Sequence, residues 1–408
     1  MSLFSASEFA KLKHDPRLAR CGHCGRYKGC DSPKMPVTGK GRLGVLVVAE
    51  APGREEDRQS KQLVGPAGQT LRRYLKKLDV DLDQDCWKTN VVICHSERNP
   101  THDEILDCRS NLLGTIRELN PRMILLLGGS AISSLIGWLW KENPGEVGRW
   151  TGWRIPSQQL NAWVCPSFDP SYVMRCENNR KEQSTRNKET GQVASIMFRE
   201  HLRQAFESKD RPWKKLPEYE KQVRVEMDCS RAAAMVRRYF CSGETPVSFD
   251  YETNMLKPES ELAEIVSCSM SNGEKTIAFP IMPETHIAVE EFLRSPVPKI
   301  AHNMKFEDRW SRSVMKTSVR RWHWCTMQTE HVLDNRRGIT SLKFLAFACL
   351  GQASYNENVS SYLEGSPNTP NRIRQTDMRN LLLYNGLDSL LTWHLFRKQE
   401  NDLKGISL

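Results

Sequence analysis

Acidic side chains in the last third of the sequence stand at spacings that could hold divalent cations. Asp250 and Glu252 lie two residues apart at the end of an apolar run, PVSFDYETN. On a strand, residues i and i+2 share a face, so both carboxylates can reach the same cation. Tyr384 and Asp388, in LLLYNGLDSLL, lie four residues apart, which places them on one face of a helix. A third polar segment between these pairs, KIAHNMKFEDRW, contributes Asn303, Glu307 and Asp308.

Cysteines indicate a second metal centre in the first half of the chain. The sequence has 13 cysteines, an odd number that does not favour a disulfide framework. Cys21 and Cys24 form a closely spaced pair, and Cys94 and Cys108 follow far downstream. Four thiolates at this spacing suit a tetrahedral zinc ion and an iron–sulfur cluster equally well. Cys30, in GRYKGC, is a competing ligand.

The elements that position these residues alternate between strands and helices, which predicts an α/β fold with a mostly parallel sheet. In the first half the apolar runs are Leu43–Ala49, Met123–Leu127 and Trp163–Pro166, and the helical patterns are Gly68–Leu78, Glu104–Leu119 and Val193–Phe206. Ligands of such sheets bind at the carboxyl ends of the strands. We therefore expect a site in the loops that open at Ala49, Asn90 and Pro166.

A predicted linker divides the chain into two domains. The segment SKDRPWKKLPEYEKQ combines dense charge with two prolines, so residues 208–220 are predicted as a linker between a domain at 1–207 and a domain at 221–408. The polar stretch Cys176–Gln192 is expected to be a solvated loop. Strands and helices alternate again beyond the linker, at Thr245–Tyr251, Lys275–Phe279, Ile339–Leu350 and Asp377–Arg397.

Composition excludes several classes of protein. A chain of 408 residues is long for one core and should hold two or three domains. Its longest apolar stretch is far shorter than the roughly 18–20 residues that cross a bilayer, and its first residues predict no secretory signal, so we expect a cytoplasmic protein without a membrane partner. The formal charge of +10 suits a polyanionic partner such as DNA.

The acidic segments, in this order, resemble the three motifs of the 3′-5′ proofreading exonucleases attached to family A DNA polymerases, the DEDDy group. The resemblance covers roughly residues 221–400 and implies a ribonuclease H-like fold and hydrolysis with two Mg²⁺ or Mn²⁺ ions. By this resemblance Asp250, Glu252 and Asp388 would be metal ligands, and Tyr384 would orient the attacking water. Because the chain ends soon after Asp388, proofreading would need a DNA polymerase supplied by another chain.

The second exonuclease motif departs from the family pattern. In the family an aspartate follows the aromatic residue, whereas here Glu307 follows Phe306 and Asp308 comes one residue later. The spacing favours Glu307 as the metal ligand over Asp308. The longer glutamate side chain could alter the metal geometry and slow the reaction.

Three blocks of the first half closely resemble the signature blocks of the family 4 uracil-DNA glycosylases: VLVVAEAPGREEDRQSKQLVGPAGQTL, KTNVVICHSERNPTHDEILDC and PSFDPSYVMR. The resemblance covers roughly residues 15–206 and implies an α/β/α parallel-sheet domain with a four-iron, four-sulfur (4Fe-4S) cluster. Its ligands would be Cys21, Cys24, Cys94 and Cys108.

The same resemblance implies roles in reading an extruded base. Glu50 would position or activate water, Asn90 would read the uracil edge, and Ser171 would contact the DNA backbone. The turns that let backbone amides approach the base or phosphate closely would be formed by Pro52, Gly53, Gly65 and Gly68.

Two positions depart from the glycosylase pattern. Asp169 stands where the family has a histidine that donates to the uracil carbonyl, and Leu63 stands where an aromatic residue stacks on the base. Slow uracil excision, excision of another base and DNA binding alone therefore all stay open. We expect a bifunctional DNA-processing enzyme of replication or repair; the alternative is a silent glycosylase-like DNA-binding module that guides an active exonuclease or a partner polymerase.

Overall fold

The chain forms two compact units. The computed structural model describes residues 23–179, 185–208, 210–364 and 369–405, and the division between the units falls between Leu216 and Pro217. Each unit is built on one β-sheet with helices packed against it, so the expected α/β class with two domains is confirmed. Within the described ranges, no helix combines the length and apolar character needed to span a bilayer.

The first unit has a five-stranded sheet. Its strands are β1 (Val45–Ala49), β2 (Cys86–Asn90), β3 (Met123–Leu127), β4 (Ile155–Ser157) and β5 (Ala162–Ser167). Their order is β2-β1-β3-β5-β4, with β4 antiparallel to β5 and the other neighbours parallel. Strands β1 and β3 are buried along their whole length, as expected for apolar strands of a parallel sheet covered on both faces.

Helices of the first unit connect these strands. They are α1 (Arg54–Gln59), α2 (Pro66–Leu75), α3 (His102–Leu119), α4 (Gly129–Leu139), α5 (Pro170–Asn179) and α6 (Thr185–Glu207), with 3-10 turns at Arg26–Gly29, Lys76–Leu78 and Val147–Arg149. Helix α3 begins with a capping box: the Thr101 hydroxyl accepts from the Glu104 amide at 3.3 Å, and the Glu104 carboxylate accepts from the Thr101 amide at 2.9 Å. The box stabilises the first turn of the helix that carries Cys108.

The prediction of a loop over Cys176–Gln192 is wrong, because helices α5 and α6 occupy its described residues. Glu177 shows why a polar segment is ordered here. Its carboxylate accepts hydrogen bonds from the Tyr74 hydroxyl at 2.6 Å and from the Arg73 guanidinium at 2.5 Å, both on α2. These partners lie about one hundred residues away, so local composition does not reveal them.

Part of the predicted linker at 208–220 packs on the first unit. The Arg211 guanidinium donates to the backbone carbonyls of Asn120 at 2.7 Å and Asn161 at 2.8 Å. The Asn161 side chain in turn donates to the Trp213 carbonyl at 3.1 Å. These bonds explain why the division between the units falls after residue 213.

The second unit has a six-stranded mixed sheet. Its strands are β6 (Val223–Val225), β7 (Val247–Thr253), β8 (Ile265–Ser271), β9 (Thr276–Pro280), β10 (Lys299–Ala301) and β11 (Trp322–Cys325). Their order is β11-β10-β7-β8-β9-β6. The pairs β7-β8 and β8-β9 are antiparallel, and the other neighbours are parallel.

Helices of the second unit follow the same chain order. They are α7 (Tyr219–Gln222), α8 (Cys229–Phe240), α9 (Pro283–Arg294), α10 (Met304–Ser313), α11 (Thr326–Leu333), α12 (Leu342–Leu350), α13 (Ser360–Leu363) and α14 (Met378–Gly405), with a 3-10 turn at Ile373–Gln375. Helix α14 packs across β6, β7, β8 and β9, and it is the element that brings the carboxyl-terminal motif to the sheet.

Buried serines hold α14 in register. The hydroxyls of Ser267 and Ser269 on β8 donate to the side-chain oxygen and the backbone carbonyl of Asn385, at 3.0 and 2.7 Å. The Ser248 hydroxyl on β7 donates to the Ser389 carbonyl at 2.7 Å. We call these three serines the serine seam. Because all three are fully buried, losing a partner would leave an unsatisfied polar group, which favours this one register of the helix.

Gly68 is required by a close approach in the first unit. A Cβ atom at this position would lie 2.0 Å from the Leu63 carbonyl oxygen, whereas a Cβ atom at Gly148 would have no atom within 4 Å. We expect Gly68→Ala to lower the free energy of unfolding by on the order of 1–3 kcal/mol through overpacking. Gly148→Ala, the matched control, should change it by less than about 0.5 kcal/mol. Urea denaturation curves measure both, and equal midpoints for the two variants would contradict the account.

Candidate active sites

Three carboxylates converge in the second unit. Asp250, Glu252 and Asp388 each offer an oxygen atom, and these atoms lie within 4.8 Å of one another. Strand β7 puts the first two on one face because they are two residues apart. Helix α14, held by the serine seam, brings the third. The Asn385 amide, one turn before Asp388, donates to the Asp250 carboxylate at 2.8 Å and so orients it.

Glu307 lies beside these three carboxylates without belonging to the set within 4.8 Å, and Asp308 is engaged elsewhere. Glu307 is 2% exposed, and burial followed by the charge of Asp250 raises the pKa of its carboxyl well above the usual value. Asp308 instead accepts from the Arg312 guanidinium at 2.7 Å and from the Trp322 indole at 3.0 Å. Of the two predicted ligands in the second motif, the structure therefore places only Glu307 with the other acids.

Burial and mutual repulsion dominate the electrostatics of the acid cluster, which we define as Asp250, Glu252, Glu307 and Asp388. Burial, and then the charge of Asp388, raises the pKa of Asp250 well above its usual value. Burial, then Asp250, does the same for Glu252. Such a set of buried carboxylates is stabilised either by protonation or by cations.

The donor set fits divalent cations. Every member of the acid cluster supplies hard oxygen ligands, which Mg²⁺ and Mn²⁺ prefer. Glu307 also has a buried oxygen, Oε2, that has no hydrogen-bond partner among the described residues. A buried carboxylate oxygen without a partner is what a metal ligand or a ligand of metal-bound water would leave behind.

Sequence reasoning missed two side chains at this site. The Lys343 ammonium, from α12, and the Tyr355 hydroxyl both donate to Oδ1 of Asp388, and the ammonium lies 3.0 Å from that hydroxyl. The ring of Tyr355 lies 5.9 Å from that of Tyr384. One signal was available for the lysine, because it is the single charged residue in the otherwise apolar helix Leu342–Leu350.

Tyr384 borders the acid cluster. Burial, then the negative charges of Asp388 and Glu252, raises the pKa of its phenol well above the usual value. The hydroxyl therefore stays protonated at neutral pH and can donate or accept a hydrogen bond. A neutral phenol beside ionised ligands can hold a water molecule but does not act as a base.

The site residues of the first unit lie at the carboxyl edge of its sheet. Glu50 follows β1, Asn90 ends β2, and Asp169 follows β5 by two residues. The turn between β3 and α4 joins them: the Ser130 hydroxyl donates to the Glu50 carboxylate, and a Cβ atom at Gly128 would lie 2.9 Å from that of Asp169. The loops expected to carry the site thus open at one edge.

Asn90 has a partner that sequence reasoning missed. The Asn90 amide is 2% exposed and donates to the side-chain oxygen of Gln62, which is fully buried. The Gln62 amide nitrogen donates to the Pro36 carbonyl at 3.2 Å. The Asn90 side chain is therefore oriented by a buried partner from its own chain.

The glycine-rich turn of the first block is built around a buried glutamate. The Gly65 amide donates to Glu56 at 2.7 Å, and a Cβ atom at Gly53 would lie 2.7 Å from the same carboxylate. The Pro52 carbonyl accepts from the His95 ring at 2.8 Å. Leu63 is 6% exposed and has a positive φ of 53°, a backbone conformation that is uncommon for a leucine.

Asp169 caps the helix that follows it. Its Oδ1 accepts from the Ser171 amide at 2.7 Å at the start of α5. This oxygen acts as a hydrogen-bond acceptor, opposite to the donor that the histidine of the family pattern supplies. The backbone amide of Ser171 is therefore engaged in this bond.

Of the four predicted cluster ligands, Cys24, Cys94 and Cys108 lie in the described ranges and Cys21 lies outside them. Cys94 and Cys108 are 6% and 8% exposed. Cys108 lies one turn after Glu104, whose carboxylate binds the Arg98 guanidinium at 2.7 Å. Glu104 is the main cause of the raised pKa of the Arg98 guanidinium, and Cys24 raises it further. Cys24 therefore lies near Arg98.

Cys30 remains a neighbour of this group. Its thiol donates to the His95 carbonyl at 3.3 Å and also hydrogen-bonds to the Cys94 side chain. The backbone after it is held by Asp57, whose carboxylate accepts from the amides of Asp31 and Ser32, both at 2.9 Å. The structure therefore places Cys30 beside Cys94, while among the described residues these cysteines do not form a group of three whose sulfur atoms lie within 4.8 Å of one another.

The raised pKa values of Asp250, Glu252 and Glu307 predict how the metal-free protein responds to pH. Their unfolded values lie near 4, so the stabilisation is complete below that pH and is lost as pH rises through the folded values. In EDTA, the second unit should therefore unfold at lower temperature at pH 8 than at pH 5. We expect Asp250→Asn to reduce this difference by at least about 2 °C.

Asp308→Asn is the matched control for this experiment. Its carboxylate is paired with Arg312 outside the acid cluster, so the pH dependence should stay that of the wild type. Differential scanning calorimetry measures the shifts, and a melting temperature that rises with pH in EDTA would contradict the interpretation.

Comparisons with known proteins identify the two domains. Residues 36–190 match the uracil DNA glycosylase superfamily, and residues 225–404 match the 3′-5′ exonuclease family. The Type-4 uracil-DNA glycosylase of Pyrobaculum aerophilum is 33% identical over 163 residues, which are 39% of this chain and 81% of that protein. The DNA polymerase of Bacillus phage SP01 is 30% identical over 108 residues, 26% of this chain and 12% of the polymerase.

Among solved structures, the EXO domain of Aedes aegypti Nibbler aligns with a TM-score of 0.35 and 16% identity, over 48% of this chain and 93% of that domain. The sequence relatives carry the assignment. With 33% of its aligned residues identical to a Type-4 enzyme of which it covers 81%, the chain belongs to the uracil DNA glycosylase superfamily, and it adds a 3′-5′ exonuclease domain to the glycosylase domain.

Proposed function

We propose that this chain is a DNA-processing enzyme of replication or repair that removes nucleotides from 3′ ends in its second unit and inspects DNA for uracil in its first. The convergence of Asp250, Glu252 and Asp388 within 4.8 Å carries the exonuclease part. The domain limits that we propose are 1–207 for the glycosylase domain, 208–220 for the linker and 221–408 for the exonuclease domain.

The acid cluster would hold two Mg²⁺ or Mn²⁺ ions, which generate hydroxide and stabilise the leaving 3′ oxygen when bound. The residues of the chain hold the arrangement in place. Asn385 orients the Asp250 carboxylate, and the Tyr384 hydroxyl orients the attacking water from the edge of the cluster. Burial excludes bulk water, which strengthens each electrostatic contact to the substrate.

Asp250→Ala tests the exonuclease. With Mg²⁺ or Mn²⁺ and a 3′-labelled single-stranded oligodeoxynucleotide, the wild type should release mononucleotides, and the variant should lose at least about a hundredfold in rate because a carboxylate that would hold the cations is removed. Gel or chromatographic analysis of the products measures this. The neighbouring variant Asp308→Asn should stay within about twofold of the wild type. Activity that persists in Asp250→Ala would rule out this site.

The first unit would act on an extruded uracil. The Glu50 carboxylate, held by the Ser130 hydroxyl, would position and deprotonate the water that adds to C1′ while uracil leaves with the electrons of the glycosidic bond. Asn90 would read the Watson–Crick edge of the base. The turn at Pro52, Gly53 and Gly65 would let backbone amides approach it.

A 4Fe-4S cluster is part of this proposal. Its ligands would be Cys21, Cys24, Cys94 and Cys108. Cys30 could replace Cys21 or Cys24 as a ligand, because its thiol hydrogen-bonds to the Cys94 side chain. When bound, the cluster supplies thiolate–iron bonds that tie the amino-terminal segment to α3 and to the loop after β2.

A specific observation favours a second candidate function, a silent DNA-binding module that guides the exonuclease. Asp169 accepts a hydrogen bond where the family pattern supplies a donor, and a missing donor of this kind lowers the rate by on the order of 10²–10³. Leu63 offers the base an apolar contact without an aromatic face. Slow excision is nevertheless our leading proposal for this unit.

Asp169→His tests which of the two holds. Restoring an imidazole donor should raise uracil release by about tenfold or more, because negative charge develops on the departing base. The assay uses uracil-containing single and double strands followed by alkali, which cleaves at abasic sites. Glu50→Ala in the same background should abolish cleavage. If neither the wild type nor Asp169→His releases uracil or another modified base at high enzyme concentration, the DNA-binding module is the correct interpretation.

The partners of the proposed enzyme are DNA, as single strands or 3′ ends, and a DNA polymerase on another chain. The similarity to the phage polymerase over 108 residues supports the second partner. An exonuclease that acts for a polymerase in trans would edit the ends which that polymerase leaves.

A further inference from the structure

We propose that Lys343 attracts the substrate: its ammonium leaves the loaded acid cluster with one net positive charge, which a single phosphodiester group neutralises. This inference rests on the proposed exonuclease function and concerns a residue outside the three acidic motifs. It assigns to the lysine a role in binding the anion rather than in holding the metal ions.

The position of Lys343 supports this role. The residue lies in the first turn of α12, and its side chain reaches the acid cluster, where the ammonium donates to Oδ1 of Asp388. The ammonium lies 4.2 Å from the ring centroid of Tyr384 and 4.3 Å from that of Tyr355. Two aromatic rings and two hydrogen bonds therefore fix one positive charge at the border of the cluster.

Lys343 is also the cation that the acids share. It acts on both Asp250 and Glu252 and opposes the rise of their pKa values. His302 does not add a second charge, since burial and then the charge of Lys343 lower the pKa of its ring to about 3. Among the described residues that act on these two carboxylates, Lys343 is the one that carries a positive charge.

The charge balance follows from these neighbours. When ionised, the four carboxylates of the acid cluster carry four negative charges, and two divalent cations cancel them. The charge of Lys343 is then left over beside the buried carboxylate of Asp388, whose side chain is 7% exposed, and charges interact more strongly there than in water. One phosphodiester group carries one negative charge, so substrate binding brings the site to neutrality. Without the lysine, the loaded site would already be neutral before the substrate arrives.

The same charge acts in opposite directions on the two kinds of ligand. It repels divalent cations and attracts anions, so its removal should strengthen metal binding and weaken anion binding. A purely structural role predicts another outcome, because loss of the contact with Asp388 would loosen the cluster and weaken both. The direction of the two shifts therefore separates charge from structure.

Lys343→Met and Lys343→Gln test the inference by titration calorimetry of the full chain, with Mn²⁺ alone and then with thymidine 5′-monophosphate on the Mn²⁺-saturated protein. We expect the Kd for Mn²⁺ to fall at least about threefold and the Kd for the nucleotide to rise at least about tenfold. The glutamine variant retains a hydrogen-bond donor and so keeps the test valid if the methionine variant does not fold. Lys343→Arg should stay close to the wild type in both measurements.

Lys275→Met is the matched control for total charge. Lys275 is exposed in the turn between β8 and β9, so neither Kd should change by more than about twofold. If both affinities weaken together in the Lys343 variants, or if neither changes while the wild type binds Mn²⁺, the inference is overturned and the two-metal proposal stands. A wild type that does not bind Mn²⁺ overturns both.

Discussion

Repulsion between buried carboxylates is the constraint on which the second unit depends. Three carboxylate oxygens lie within 4.8 Å of one another, with a fourth acid beside them, and their negative charges repel one another when ionised. Two of the elements that carry these acids are held by other contacts. Strand β7 is paired on both sides, and α14 is bound by the serine seam. The pairing of β7 and the serine seam hold the carboxylates together against this repulsion, and bound cations or protons reduce it.

Periodicity explains how much of this site could be predicted. Residues two apart on a strand and four apart on a helix share a face whatever the rest of the fold does, so the grouping of Asp250 with Glu252, and of Tyr384 with Asp388, follows from spacing. The same rule separates Glu307 from Asp308, since one residue turns a helix by about 100°. The indole that binds Asp308 lies fourteen residues further on, and no local pattern points to it.

Contacts between distant segments account for what could not be predicted. Gln62 was missed because its partner Asn90 lies 28 residues away, and the helices over Cys176–Gln192 were missed because Glu177 is bound by residues of α2. Lys343 stands 45 residues before Asp388. In each case the composition of the local sequence predicts that a polar side chain faces solvent, but in the fold it is hydrogen-bonded or ion-paired to a residue far away in the sequence. These tertiary contacts outweigh the local conformational preference.

The serine seam has a consequence for how this protein can change over generations. It binds backbone and side-chain groups of α14 within the same turn that presents Asp388. A one-residue insertion or deletion between the seam and the aspartate would swing the carboxylate by about 100° around the helix axis. Exchanges of outward-facing residues leave that angle untouched. In this helix, substitutions at outward-facing positions are therefore tolerated, whereas insertions and deletions are not.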